Sequence, residues 1–220
     1  MIKIQPIVRE IVLGELEAYF ALTNNYMNMS SYAHLIRLAV ERRAKKQVTI
    51  TSLVVSLSRL RKEFKKGKPL IQEVAIKNIT TKLPLSEMVY ENNNKFIEKF
   101  EMLHKKVAVA REDFFIATIG TNEMNIIASS NLAKKIMGHF KTKPKIVNHD
   151  FAAVAIALSP EVFTMPNVIF SLLSVTARAR INIEELISTS TELIFIVAEK
   201  DFGQTVALFS ELHRATNKEE

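Results

Sequence analysis

Apolar positions recur at three- and four-residue spacing through the first third of the chain, and alternate in short runs between helical stretches thereafter. Ile7, Val8, Ile11, Val12, Leu16, Tyr19 and Phe20 predict one amphipathic helix reaching about Thr23. The polar stretch 24–28 ends it. Ser30 or Ser31 is placed to cap a second helix, in which Tyr32, Leu35, Ile36, Ala39 and Val40 share a face. A basic connector, 42–48, follows. Thr49 or Thr51 then opens a third helix with Leu53, Leu57, Leu60 and Phe64 as its buried stripe.

Gly67-Lys68-Pro69 punctuates the chain, and the pattern changes there. Residues 72–80 predict a strand and 94–109 a helix with Phe96, Phe100, Leu103 and Val107 aligned. Strands at 114–119 and 124–129 flank a hairpin signal at Gly120. Leu132, Ile136, Met137 and Phe140 mark another helix, and 145–148 starts a further strand. From Phe151 the order returns: strand 151–158, helix 166–179, strands 183–189 and 193–198, helix 202–212. Two strand–helix–strand–strand–helix units of about 70 residues suggest an internal duplication. The fold class is α+β. A three-helix, helix-turn-helix-like domain (1–69) precedes two ferredoxin-like βαββαβ units, 70–149 and 150–220.

Charge separates these regions further. Residues 1–69 hold 13 Lys+Arg against 5 Asp+Glu; the remainder holds 17 against 18. Between Arg37 and Lys68, eleven positive residues face only Glu41 and Glu63. Such a run is either a solvated basic surface or a seat for a polyanion. The stretch 49–61 (TITSLVVSLSRLR) resembles the recognition helix of small helix-turn-helix regulators. In that reading Arg42, Arg43, Lys45, Lys46, Ser52, Ser56, Arg59, Lys62 and Lys66 meet DNA. Arg59 reaches a base edge, and the basic connector holds phosphates. The turn lacks the usual glycine and the connector is longer than usual, so a plain dimerisation or docking domain stays open.

The remaining composition narrows the classes. There is no Cys, hence no disulfide framework and no thiolate metal site. The longest apolar run, 151–158, is too short to span a membrane. The N-terminal residues carry no secretion pattern, so a soluble, cytoplasmic protein without membrane contact is expected. The five Gly are isolated, and His34, His104, His139, His149 and His213 lack ligand spacing. His149 and Asp150, like Glu184 and Glu185, alternate across a strand and pair poorly. No metal, no cofactor and no enzyme activity are expected.

Residues 159–190 (SPEVFTMPNVIFSLLSVTARARINIEELISTS) resemble the ACT regulatory domain found behind aspartokinases. Met165-Pro166-Asn167, Ile181-Asn182-Ile183 and Leu186-Ile187-Ser188-Thr189 occupy the family's motif positions. The resemblance implies a small-molecule effector of the amino-acid class, held by Ser159, Thr164, Met165, Asn167, Asn182 and Ile183, with Asn182 closing the site across a dimer. The family's helix-opening glycine is Asn167 here; its side chain either bonds a ligand or fills the pocket. The second unit also ends without its usual last strand, which either the first unit or a partner chain supplies. The expectation is a ligand-responsive transcriptional regulator, a homodimer or higher oligomer. The alternative is an ACT protein that docks onto an amino-acid biosynthetic enzyme and controls it allosterically.

Overall fold

A computed structural model describes residues 3–67, 69–70, 74–140 and 142–216. Lys68, Gln72 and the side chain of His104 lie outside the described residues. The chain divides into two compact units, Met1–Gln72 and Glu73–Glu220.

The first unit is helical: α1 (Ile4–Gly14), α2 (Leu16–Thr23), α3 (Met29–Ala44) and α4 (Ile50–Lys66). Val8, Val12, Leu22, Ala33, Val40, Leu53, Leu57 and Leu60 are fully buried in one core. Each larger aliphatic there stabilises the unit by roughly 1.5–3 kcal/mol relative to exposure. The single first helix expected from the pattern is two. Glu15 is extended (φ −123°, ψ 102°) between α1 and α2. Its carboxylate accepts from the Tyr32 hydroxyl at 2.8 Å, which ties the break to α3. Burial, and then this carboxylate, push the Tyr32 phenol upward. The cap of α3 is Asn28, whose Oδ1 accepts from Ser31 N–H at 3.1 Å, rather than Ser30 or Ser31.

The connection from α3 to α4 is tighter than the sequence implied, because Arg42 and Arg43 are still helical. Lys45 takes the left-handed conformation (φ 52°, ψ 38°), the part a glycine usually fills. Glu41 Oε1 accepts from Val48 N–H at 2.9 Å and from Arg37 Nε at 3.0 Å. The backbone N–H first, and then Arg37, hold this carboxyl below its usual range. Thr49 Oγ1 accepts from Ser52 N–H and caps α4.

The second unit is a six-stranded sheet with helices on one face. Its elements are β1 (Ile76–Glu91), α5 (Asn94–Glu101), α6 (Leu103–Lys106), β2 (Phe115–Ile119), β3 (Glu123–Ser129), α7 (Ser130–Phe140), β4 (Ile146–Leu158), a 3-10 turn (Pro160–Thr164), α8 (Val168–Arg178), β5 (Glu185–Ser188), β6 (Glu192–Ala198) and α9 (Glu199–Thr216). The strand order is β2-β3-β1-β4-β6-β5, with every neighbouring pair antiparallel. Exchanging β1, β2, β3 with β4, β5, β6 reverses this order onto itself, so the sequence repeat is present in the topology.

The halves share their central strands. The first part of β1, Ile76 to Thr81, pairs with the end of β4; its last part pairs with the start of β4. Each central strand therefore completes the other half's set, and the expected strand break near residue 150 falls inside β4. The register slips by a residue between Lys82 and Leu85 of β1 and again beside Asp150 of β4, where φ is 63°. The helix expected over 94–109 stops at Glu101 and restarts at Leu103. Pro166 lies before α8 rather than in its first turn.

Two cores fill the helical side. Met88, Tyr90, Ile126, Leu132, Ile136 and Phe140 form one; Ile76, Val154, Ile156, Leu172, Phe195 and Phe209 form the other. The opposite face is apolar too, carrying Leu85, Ile127, Phe151, Ala153, Ile194 and Ile196, with Ile116 and Ile187 packed against them. These are strand residues from every position in the sheet. Glu185 on edge strand β5 approaches Asn125 of β3 at 3.4 Å and bonds Thr118 of edge strand β2. The sheet is thus rolled until its two edges meet, and its concave face is a core in its own right.

Candidate functional site

In the helical unit the basic residues gather around the α3–α4 connection. Arg42 and Arg43 lie in the last turn of α3, where the helix end favours positive charge. Arg42 Nε donates to Leu38 O at 3.4 Å, and Arg43 reaches Glu10 at 3.9 Å. Lys46, Thr49, Ser52, Ser56 and Arg59 line a shallow groove of about 570 Å³. Arg59, Lys62 and Lys66 project from the outer face of α4 and are exposed. Ser56 corrects the sequence reading, being buried (8% exposed). Ser52 is half-occupied as well, its Oγ donating to Thr49 O at 2.8 Å. The arrangement offers a cationic ridge beside the hydroxyls of Thr49, Thr51 and Ser52, and among the described residues the one acid of α4 is Glu63, which pairs with Arg9 at 3.2 Å.

The residues assigned to a ligand fall at the two ends of α8. Ser159, Thr164, Met165 and Asn167 lie between β4 and α8, whereas Asn182 and Ile183 lie between α8 and β5. Eleven helical residues, about 16 Å, separate the groups, so one chain alone does not bring them together. Local bonds occupy most of the loop: the Ser159 hydroxyl meets Glu161, Thr164 Oγ1 donates to Glu161 O at 2.7 Å, and Asn182 Nδ2 donates to Glu184 Oε1 at 2.7 Å. Met165 and Ile183 pack against the core. Asn167 stands apart. It adopts φ 67°, and its carbonyl receives both Ser171 N–H and Ser171 Oγ, while its side chain makes no capping bond. The φ accounts for an asparagine where the family has glycine, since both tolerate this region.

Two polar clusters escaped the sequence pattern. Ser86 Oγ is 3.0 Å from Ser130 Oγ and 3.1 Å from His149 Nδ1. This group ties β1, β4 and α7 together, with the Ser86 residue itself only 1% exposed. At the meeting of the sheet edges, Asn125 Nδ2 donates to Glu87 Oε1 at 2.8 Å, and Asn148 Nδ2 donates to Glu87 Oε2 at 2.7 Å. Burial, reinforced by Glu87, raises the Glu185 carboxyl. Carboxylates on both sides draw in the Asn125 amide nitrogen and leave its Oδ1 buried without a partner among the described residues. The first cluster joins two strands and a helix and the second four strands, and only the topology reveals them. Among the described residues no group of three or more His, Asp or Glu is placed to hold a metal, and no helix is long and apolar enough to cross a membrane.

No family model matches the chain, and no curated protein sequence is significantly similar to it. Solved structures are similar. Aspartate kinase from Clostridium acetobutylicum, described as an allosteric enzyme, superposes with a TM-score of 0.54 at 15% identity, covering 67% of this chain and 37% of that one. The regulatory subunit of aspartate kinase from Thermus thermophilus gives 0.51 at 13% identity, over 63% of this chain and 97% of that subunit. Aspartate kinase from Synechocystis gives 0.52 at 13%, over 64% and 27%. This chain thus spans about a third of the full-length kinases and nearly all of a regulatory subunit. The resemblance to the ACT-type regulatory domains behind aspartokinases holds at the level of the fold.

Proposed function

We propose that this protein is an amino-acid-responsive regulator of transcription. The helical unit binds DNA as a helix-turn-helix, and two ACT-like units, 70–149 and 150–220, sense the effector. The observation that carries the reading is the cationic ridge of α4 and the α3 end, in a chain whose other unit has a regulatory-domain fold. In this scheme Arg59 reads a base edge, while Arg42, Arg43, Lys45, Lys46, Lys62 and Lys66 hold phosphates. The effector's carboxylate sits against the loop 159–167 of one subunit, and Asn182 of a second subunit closes it. Binding then favours one dimer geometry and with it one spacing of half-sites.

Selection of preferred duplexes followed by titration tests the assignment. Arg59→Ala is expected to lose about 1–3 kcal/mol on a preferred site and to blur preference there. Arg42→Ala with Lys46→Ala is expected to weaken all duplexes alike and to flatten the salt dependence. Equal, sequence-blind losses from both changes would argue against a reading helix.

A second reading rests on Leu35 and Leu38, which α3 leaves 74% and 68% exposed. Apolar side chains so placed favour a protein partner for α3, as in a regulator that docks onto an amino-acid biosynthetic enzyme.

A further inference from the structure

The helical side of the first half-sheet holds a cavity of about 260 Å³, bounded by the end of β1, α5 and the segment before β4. Four lysines, Lys95, Lys99, Lys143 and Lys145, line it with a single carboxylate, Glu91. Lys99 Nζ donates to Thr142 Oγ1 at 3.2 Å and Lys145 reaches Glu123 at 3.5 Å. Tyr90 lines the same cavity. Its ring is held between Phe96, stacked at 4.3 Å, and Phe140, edge-on at 5.3 Å. The residue is 1% exposed, yet its hydroxyl has no hydrogen-bond partner among the described residues. A buried hydroxyl left unpaired is costly, and a cavity ligand that accepts from it removes that cost. Burial pushes the Tyr90 phenol up to about 12, so at neutral pH it can donate.

We propose that this cavity binds the phosphate group of a small phosphorylated metabolite, with Tyr90 donating a hydrogen bond and the lysines neutralising the charge. Lysine ammoniums serve as point-charge phosphate ligands, a protonated phenol adds a neutral donor, and Glu91 is the one acid in the lining. A duplex backbone fits less well, because a hydroxyl this deeply buried is out of reach of a wide, rigid rod. The inference goes beyond the amino-acid and DNA reading and does not depend on it.

The test is calorimetric titration of the full chain with inorganic phosphate and pyrophosphate, at ionic strength matched with chloride, alongside citrate. Phosphate and pyrophosphate are expected to bind and citrate to bind more weakly. Tyr90→Phe keeps the ring stack and is expected to weaken phosphate roughly tenfold. Lys95→Ala with Lys143→Ala, both on the surface, is expected to abolish it with the melting temperature unchanged. No phosphate binding, binding indifferent to Tyr90→Phe, or citrate binding as tightly would each overturn the proposal. So would a loss of DNA affinity in the lysine variant without any phosphate site.

Discussion

Asn167 shows how much one dihedral angle decides. At φ 67° an asparagine is tolerated, a glycine is at ease, and a β-carbon bearing a longer chain is strained by about 1–2 kcal/mol. Asn167→Gly is therefore expected to leave stability within about 0.5 kcal/mol of the parent, whereas Asn167→Leu lowers it by about 1 kcal/mol. The glycine variant is the cleaner probe of the side chain's part in ligand binding. If it keeps its fold and loses an amino-acid-induced thermal shift, the amide contacts the effector; an unaltered shift places the effector elsewhere. Glu185 makes a different point. Its raised carboxyl favours the neutral form in the folded state, so its stabilising contribution is full below the ordinary value of 4.5 and is lost as pH rises through the raised one. Glu185→Gln is expected to raise the melting temperature by about 2 °C at pH 7, the effect being modest because the group is partly solvated. The advantage should fade on titration toward pH 4. An advantage that grows on acidification would contradict the assignment.

Elements explain what could and could not be read beforehand. Helices were legible where a single face is apolar, as in α4, whose Leu53, Leu57 and Leu60 are all buried as the spacing predicts. Strands β3 and β6 were legible as short apolar runs beside turn signals. The first and fourth strands were legible only in part, as a strand over the start of β1 and as two pieces of β4, because local irregularities at Leu83-Pro84 and Asp150 interrupt the alternation. The roll of the sheet is invisible in any pattern, since both of its faces are apolar. Ala153 sits inside the roll at 1% exposure. Ala153→Leu is expected to cost about 1–3 kcal/mol in chemical unfolding. An open sheet with a free second face would accept that side chain at little cost, so a neutral result would count against the roll. The ligand residues fall on the legible side of this divide. Local motifs marked the loop 159–167 and the helix after it, and the course of α8 sets Asn182 a helix length away, as the pattern predicts.

At the scale of the whole molecule the two units differ in charge and in what they offer a partner. The helical unit carries the entire positive excess, and the sheet unit is nearly neutral and similar in fold to an aspartate kinase regulatory subunit. The proposed function requires the two units to be linked: affinity for DNA must depend on the effector, and by reciprocity effector affinity must depend on DNA. The most direct test is fluorescence anisotropy of the intact protein with labelled duplex DNA across a salt series, with and without each of the proteinogenic amino acids. The account predicts binding at low salt, a linear fall of log affinity with log salt, and a change of roughly 5- to 150-fold caused by one amino acid or a small related group. No binding to any duplex at low salt, or DNA binding that no amino acid alters, would contradict it.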